Sequence, residues 1–154
     1  MRIRIVAVGK LREAHWRVAS DEYRKRLGRY ATVEVVEIAD RDLSAGVERA
    51  VEAEGADILR ALAPGSHVVA LEIGGTGRSS EELAARLETL MVEGCSDVTF
   101  VVGGSAGLAA AVLERADETL SLSRMTLPHQ LCRVVLLEQV YRAFRIIRNE
   151  PYHL

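Results

Sequence analysis

The sequence predicts one α/β domain over residues 1–154, with a mostly parallel sheet and helices on both faces. Short apolar runs typical of buried strands alternate along the chain with segments of helical periodicity. The length fits a single domain, and neither an internal repeat nor a linker divides it. With 49% hydrophobic and 27% charged residues, the composition is that of a folded globular protein.

Two strands and two helices are predicted in the first half of the chain. Residues 1–8 are apolar enough for a buried strand, and residues 32–38 alternate valines with glutamates, which predicts a strand with one wetter face. Residues 14–30 have apolar side chains at helical spacing. A long amphipathic helix is expected over residues 44–62, with Ser44 as its N-cap.

The second half continues the alternation. Residues 67–73 and 98–102 are apolar strands, and the glycine-rich run GGTG after the first of them is interpreted as a turn. Ser79 and Glu82 have the spacing of a capping box and open a helix. The remaining elements are a helix over residues 108–116, a short strand over 119–122 and a helix over 128–147.

Composition and charge argue against several classes of protein. No apolar run reaches the roughly 18–20 residues of a membrane helix, and the N-terminal MRIRIVAVGK lacks the pattern of a signal peptide. The two cysteines lack the spacing of a metal site or a disulfide framework, which favours a cytoplasmic location. The net charge of −2 indicates neither an acidic partner nor its absence, and no ligand cluster predicts a metal.

Polar and glycine-rich segments follow three of the predicted strands. They begin at Gly74 (GGTGRSS), Gly103 (GGSAGL) and Ser121 (SLSRMTL). Ligands of parallel sheets bind beyond the carboxyl ends of the strands, so these segments are the candidates for a site. Taken alone, the first two are better explained as ordinary turns, and neither is a dinucleotide fingerprint or a phosphate loop for ATP or GTP.

The third segment is different because it contains no acid. It combines main-chain polar groups with the apolar side chains Leu122, Met125 and Leu127. Three such loops could converge on a flat apolar ring and bind its edge through main-chain N–H and C=O groups. Adenine has that chemistry, and the missing phosphate loop favours a nucleoside over a triphosphate.

The last helix carries Arg133, Arg142, Arg145 and Arg148, of which the middle two share a face. Two interpretations remain open for these arginines. They are either the solvated face of an amphipathic helix or an edge that contacts phosphates beside the pocket. Glu138 lies four residues before Arg142 and could simply pair with it.

Two histidines lie near the ends of this helix. His129 belongs to its first turn, where a hydrogen-bonded structural role is commoner than a catalytic one. His153 follows Tyr152 in a polar tail, which is either ordered for a functional reason or a frayed end.

Five segments together resemble the RlmH family, the small SPOUT-class methyltransferases that modify 23S ribosomal RNA. They are VAVGKLRE, EYRKRLGRY, VVGGSAGL, LSRMTLPHQLCRVVLLEQVYRAFRI and the terminal NEPYH. The resemblance covers essentially the whole chain, and residues 121–153 are its most specific part. One departure is Leu154, where the family usually has Lys or Arg.

The resemblance implies a fold, a cofactor and a reaction. The fold would contain a deep C-terminal trefoil knot, and the protein would be a homodimer that binds S-adenosylmethionine in the knot. The reaction would be methylation at N3 of a pseudouridine in 23S rRNA, within the ribosome or its large subunit. The implied cofactor contacts are Leu71, Gly103, Leu122, Ser123, Arg124, Met125, Thr126 and Leu127.

For catalysis, the hypothesis is that Tyr152 and His153 supply the general base or its hydrogen-bonded support, together with Arg142. Arg133 and His129 are the candidates for contacts with the RNA. Two rival interpretations remain. One is a non-catalytic knotted dimer that binds ribosomal RNA, and the other is a flavodoxin-like nucleotide enzyme that uses the GGSAGL turn for phosphate.

Overall fold

The computed structural model describes residues 1–152, so His153 and Leu154 lie outside the described residues. Strands and α-helices alternate along the chain, with one short 3₁₀ helix before the second α-helix. In chain order they are β1 (Arg2–Val8), α1 (Ala14–Leu27), β2 (Thr32–Ile38), the 3₁₀ helix (Leu43–Ala45), α2 (Val47–Ala61), β3 (His67–Gly77), α3 (Ser80–Val92), β4 (Asp97–Val102), α4 (Ala110–Arg115), β5 (Glu118–Ser121) and α5 (His129–Ile147). Within these residues no helix is both long and apolar enough to cross a bilayer.

The five strands form one sheet in the order β2-β1-β4-β3-β5. Every pair of neighbouring strands is parallel. In the middle of the sheet, Ile5 of β1 lies opposite Val35 of β2 on one side and Phe100 of β4 on the other. The predicted α/β class is therefore confirmed, and the sheet is parallel throughout.

Helices cover both faces of the sheet, as predicted. On one face Ile5 belongs to a core with Leu87 of α3 and Leu136 of α5. On the other face Val6 belongs to a second core with Ile58 of α2. Because successive side chains of a strand point to opposite faces, adjacent residues of β1 enter different cores. Burial on both faces explains why the central strands are almost uniformly apolar.

The start of α2 differs from the prediction. Ser44 is not the N-cap of a long helix but part of the 3₁₀ turn, where its backbone N–H donates to the Asp42 carboxylate at 2.9 Å. Gly46 then adopts φ +124°, and α2 begins at Val47. The prediction was wrong because Asp42 caps the chain two residues earlier and Gly46 takes a conformation that other residues rarely adopt.

The GGTG segment is not a turn, so that prediction was also wrong. β3 runs through it, and both Leu71 and Thr76 pair with Leu120 of β5, which leaves residues 72–75 as a bulge. A Cβ on Gly75 would lie 3.0 Å from the backbone of Leu120. Sequence patterns do not separate glycines that end a strand from glycines that let a bulged strand pack closely on its neighbour.

Candidate functional site

One large cleft opens at the carboxyl edge of the sheet, where β3, β4 and β5 end. Its volume is about 760 Å³, within the roughly 300–1,000 Å³ usual for small-molecule sites. The bulge of β3, the loop after β4 and the loop between β5 and α5 enclose it. The lining residues are 71–73, 102–108, 120–123, 125–129 and Cys132.

Most of the predicted cofactor contacts meet around this cleft. The residues that line it are Leu71, Gly103, Leu122, Ser123, Met125, Thr126 and Leu127. The remaining one, Arg124, is exposed and does not line the cleft. The structure thus brings together the segments that follow β3, β4 and β5. Contact with the cofactor itself stays a prediction for each residue.

The cleft has apolar side chains at its open side. Met125 is 77% exposed and Ile73 is 56% exposed. Leu71 and Leu122 are half-buried in the walls and pack against the core of the sheet. Large apolar side chains exposed together around a concave surface are typical of a binding groove.

The loop between β5 and α5 holds its shape with its own hydroxyl groups. The Ser121 hydroxyl donates to the Ser123 carbonyl at 3.0 Å, and the Met125 N–H donates to the Ser123 hydroxyl at 2.9 Å. By contrast, the backbone N–H groups of Thr126 and Leu127 have no hydrogen-bond partner among residues 1–152. These main-chain donors are therefore available to the edge of a bound ring.

Gly103 lets the backbone after β4 come close to the cleft. A Cβ at this position would lie 3.0 Å from the Gly107 carbonyl group and 3.1 Å from the Leu108 side chain. Gly107 has φ +85°, which favours glycine as well. A side chain at residue 103 would therefore distort the turn or enter the cleft.

The cleft offers little reactive chemistry of its own. Its ionisable side chains are Glu72, His129 and Cys132. Burial raises the pKa of the Cys132 thiol, so this group stays protonated at neutral pH. His129 and Cys132 share a face of α5, but no hydrogen bond joins them within residues 1–152 and the thiol is protonated, so the cleft is suited to bind and orient a ligand rather than to react with it.

The C-terminal tail packs against the far part of α5. The Tyr152 hydroxyl donates to Glu138 Oε1 at 3.1 Å, and Arg142 donates to the same oxygen at 2.8 and 3.1 Å. The Arg142 guanidinium also lies 4.7 Å from the centre of the Tyr152 ring. Up to Tyr152 the tail is therefore ordered, and the frayed-end alternative does not hold for the described part. We call Glu138, Arg142 and Tyr152 the tail cluster.

Tyr152 is held in its protonated form. Burial, followed by the neighbouring Glu138 carboxylate, raises the pKa of Tyr152 to about 12. At neutral pH the phenol therefore donates a proton in a hydrogen bond and does not accept one as a base. In this arrangement it fits the predicted supporting role better than the role of general base.

The tail cluster and the cleft occupy different parts of α5. Cys132 lines the cleft, whereas Glu138 and Arg142 do not. At 1.5 Å per residue, these two lie about 9 and 15 Å farther along the helix axis. Reacting atoms must approach to about 3–3.5 Å. Within one chain, Glu138, Arg142 and Tyr152 therefore do not border a group bound in the cleft.

The two predicted RNA contacts differ in accessibility. The Arg133 side chain is 4% exposed and donates to the Gly9 carbonyl at 3.1 Å and to Glu37 at 3.3 Å. This arrangement ties α5 to the ends of β1 and β2 and gives no support to a phosphate contact. His129 lines the cleft, with its Nε2 3.6 Å from a Cβ placed on Gly9. It is placed where a bound group could reach it.

Several lining residues were missed by the sequence interpretation. Glu72 and Ile73 lie in the β3 bulge, which the expectation of a turn concealed. Ser105, Ala106 and Leu108 belong to the GGSAGL segment, of which only Gly103 was selected. The signal for the second group was present, since the whole segment follows a buried strand.

Solved structures support the fold. A probable methyltransferase from Bordetella pertussis Tohama I matches 92% of this chain and 93% of its own, with a TM-score of 0.56 and 18% identity. A probable methylase family protein from Haemophilus influenzae Rd KW20 matches 96% of this chain and 66% of its own, with a TM-score of 0.53 and 14% identity. At these identities the likeness shows the fold alone.

Sequence relatives are much closer. A protein called ribosomal RNA large subunit methyltransferase H from Listeria monocytogenes serotype 4a (strain HCC23) is 52% identical, over 99% of each chain. A protein of the same name from Lysinibacillus sphaericus (strain C3-41) is 49% identical over the same share. The profile of the family described as predicted SPOUT methyltransferase matches residues 1–153. The chain therefore belongs to the SPOUT methyltransferase family.

Proposed function

We propose that this protein methylates N3 of a pseudouridine in 23S rRNA, with S-adenosylmethionine as methyl donor. The observation that carries the proposal is the cleft. The segments after β3, β4 and β5 enclose it with apolar side chains, and the loop after β5 adds main-chain N–H groups without a partner among residues 1–152. Family membership supports it, because SPOUT methyltransferases use S-adenosylmethionine. The trefoil knot implied by the resemblance belongs to the same proposal.

The residues of the cleft fit this cofactor. Leu71, Leu122 and Leu127 supply apolar surface for an adenosine, and the N–H groups of Thr126 and Leu127 can donate to its ring edge. Gly103 leaves room for the backbone to approach. When bound, the cofactor supplies a methyl group activated by a sulfonium. The chain's part is to bind it, shield it from water and hold the acceptor nitrogen in line.

Ribosomal RNA is the proposed substrate because the relatives that share half of the sequence are called ribosomal RNA large subunit methyltransferases. With a net charge of −2, one chain neutralises phosphates poorly and should bind free RNA weakly. We therefore expect the substrate to be a shaped surface of the ribosome or large subunit. A cytoplasmic location belongs to the same proposal.

We further propose a homodimer in which the tail of one chain completes the cleft of the other. The support is the distance along α5 that separates the tail cluster from the cleft of its own chain. Arg142, Tyr152 and the following His153 would then meet the acceptor base on the partner's cofactor. In that site Tyr152 would orient its neighbours through hydrogen bonds, and His153 would receive the proton lost by the acceptor nitrogen.

Calorimetric titration with S-adenosylmethionine tests the cofactor part of this proposal. We expect micromolar binding to the wild type and none to Gly103→Arg, since a side chain there meets Gly107 and Leu108. Gly77→Ala is the matched control, because a Cβ at Gly77 meets nothing within 4 Å. Absence of binding to folded wild-type protein would overturn the methyltransferase proposal.

Mass spectrometry of rRNA tests the reaction. Large subunits or ribosomes that lack the modification are incubated with protein and cofactor, and we expect one added methyl group on a pseudouridine of 23S rRNA. Cofactor binding without methylation of any ribosomal substrate would favour the rival interpretation, a non-catalytic RNA-binding dimer.

A further inference from the structure

A second, smaller cavity adjoins the cofactor cleft. Its volume is about 180 Å³, and it lies at the carboxyl ends of β1 and β2, beside the loop after β4. The two cavities share Gly104, Ser105, Ala106 and His129 as lining residues. A group bound in the smaller cavity would therefore lie beside a ligand in the cleft along this shared wall.

The sheet topology favours a ligand at this place. β1 and β4 are neighbours in the sheet, but the connections that follow them run in opposite directions. After β1 the chain goes to β2 at one edge of the sheet, and after β4 it goes to β5 at the other edge. Diverging connections open a crevice outside the carboxyl ends of the two strands, where parallel α/β sheets bind their ligands. The smaller cavity lies in that crevice.

A buried carboxylate faces the cavity without a full set of partners. Glu54 is 5% exposed and lines the cavity, and its Oε1 accepts from the Arg41 N–H at 2.8 Å. Its Oε2 has no hydrogen bond to any residue of the described chain. A Cβ on Gly104 would lie 3.5 Å from this oxygen, which places it at the shared wall. Glu54 is buried as a residue, but this oxygen is accessible from the cavity, so it can accept a hydrogen bond from a ligand donor.

The other charges make a phosphate a poor occupant. The cations and acids that line the cavity are equal in number, and Arg12 lies 3.9 Å from Asp40 while Arg41 pairs with Asp57 outside. A phosphate would also meet the buried carboxylate of Glu54. A neutral ring with both donors and acceptors fits better. The charged lining residues are Lys10, Arg12, Arg41, Glu13, Asp40 and Glu54.

The volume agrees with a single pyrimidine ring. The 180 Å³ of the cavity corresponds to about six water molecules. One flipped base fits such a space, whereas the sugar of a nucleoside would lie outside it. Enzymes that act on a base commonly take it out of the stack into a pocket of this kind.

We propose that the smaller cavity binds the acceptor base and that Glu54 accepts a hydrogen bond from the ring N–H of pseudouridine that is not methylated. This inference rests on the proposed function. Pseudouridine has two ring N–H groups because its ribose is attached through carbon. Uridine keeps the N3 acceptor but has its ribose on N1, so it would leave Glu54 Oε2 unpaired. Glu54 therefore selects pseudouridine over uridine.

The test compares wild type, Glu54→Gln and the control Glu52→Gln on substrates that carry either pseudouridine or uridine at the target position. Glu52 lies on the exposed face of the same helix. We expect Glu54→Gln to lower the preference for pseudouridine, measured as a ratio of kcat/KM, by about 3- to 30-fold, because a neutral amide replaces the charged hydrogen-bond acceptor. Its affinity for S-adenosylmethionine should stay within about twofold of the wild type. An unchanged preference in folded Glu54→Gln overturns the proposal, because a purely structural role would not alter it.

A second variant covers the case in which Glu54→Gln does not fold. Lys10 is an exposed residue that lines the cavity, and it has no hydrogen-bond or ion-pair partner among residues 1–152. Lys10→Met should lower methylation of the pseudouridine substrate with unchanged cofactor affinity, and full methylation by this variant would count against the site.

Direct binding of nucleosides distinguishes a failure of this cavity assignment from a failure of the proposed methyltransferase function. If the wild type methylates neither substrate, the backbone amides of Gly9 and Gly104 are followed by NMR during titration with the nucleosides pseudouridine and uridine. Shifts with pseudouridine that are lost in Glu54→Gln support the cavity assignment. Absence of shifts in the wild type overturns it.

Discussion

Among single residues, Arg133 has surroundings that give its predicted role no support. The sequence suggested a contact with RNA, whereas the structure shows a guanidinium that is 4% exposed and bonded to Gly9 and Glu37. Desolvation by burial lowers the pKa of Arg133, and the Glu37 carboxylate partly offsets this effect. Its charge therefore acts inside the fold, where it joins α5 to the end of β1.

Replacing Arg133 should therefore affect stability. We expect Arg133→Met to lower the free energy of unfolding by about 1–3 kcal/mol, because the Gly9 carbonyl loses a charged donor. Urea unfolding measures this value. Arg148→Met is the control, since Arg148 is exposed and should change stability by less than about 0.5 kcal/mol. Wild-type stability combined with lost rRNA methylation would instead support the predicted RNA contact.

Because of Tyr152, we expect the free energy of unfolding to fall as the pH rises through the alkaline range. Its pKa rises from the ordinary tyrosine value of 10.0 to about 12 in the fold, so the folded state holds the proton more tightly. The contribution is complete below pH 10 and is lost as the pH rises from 10 to about 12. Between about pH 9 and 11, wild type should thus lose more unfolding free energy than Tyr152→Phe. Equal losses in the two proteins would show that this phenol is not stabilised in its protonated form.

At the scale of elements, α3 shows a sequence signal that the fold preserves. Ser79 accepts from the Glu82 N–H at 3.1 Å, and Glu82 accepts from the Ser79 N–H at 2.7 Å. This is the capping box that the sequence predicts. Such local signals are reliable because both partners lie within one turn, so no distant contact is needed to form them.

Removing the cap should have a moderate cost. We expect Ser79→Ala to lower the free energy of unfolding by about 0.5–2 kcal/mol, with α3 otherwise intact. Ser96→Ala serves as control because Ser96 is exposed and its side chain has no hydrogen bond within residues 1–152. The two variants are compared by chemical denaturation, and equal free energies of unfolding would contradict the prediction.

Other local signals were overridden by tertiary contacts. The glycines after Leu71 indicated a turn, yet Gly75 lies against Leu120 and lets β3 continue past a bulge. That bulge brings Glu72 and Ile73 to the cleft. A glycine-rich string carries no information about which backbone will approach it, so the sequence could not place this wall of the site.

For the whole molecule, the main consequence of the fold is that α5 separates two parts of the proposed active site. Gly103→Arg blocks the cleft, and Arg142→Ala disables the tail cluster. If the site is built from two chains, co-expression of both variants should restore methylation up to about a quarter of the wild-type rate, since half of the dimers are mixed and each has one intact site. Each variant alone should be inactive. No recovery in purified mixed dimers would place the whole site in one chain.

Local sequence patterns were sufficient to predict the α/β class, the succession of strands and helices along the chain, and the loops that end at the cleft. These follow from periodicity, capping and composition, which are local properties of the chain. The resemblance in residues 121–153 supplied the family, which the sequence relatives then confirmed.

Which residues meet became known from the three-dimensional fold alone. It paired Arg133 with Glu37, moved the tail cluster away from the cleft of its own chain, and left one oxygen of Glu54 unpaired beside Gly104. These outcomes depend on strand order and on packing between segments that are far apart in sequence. Periodicity reports how each segment faces a core, but it does not specify which distant side chain will lie opposite.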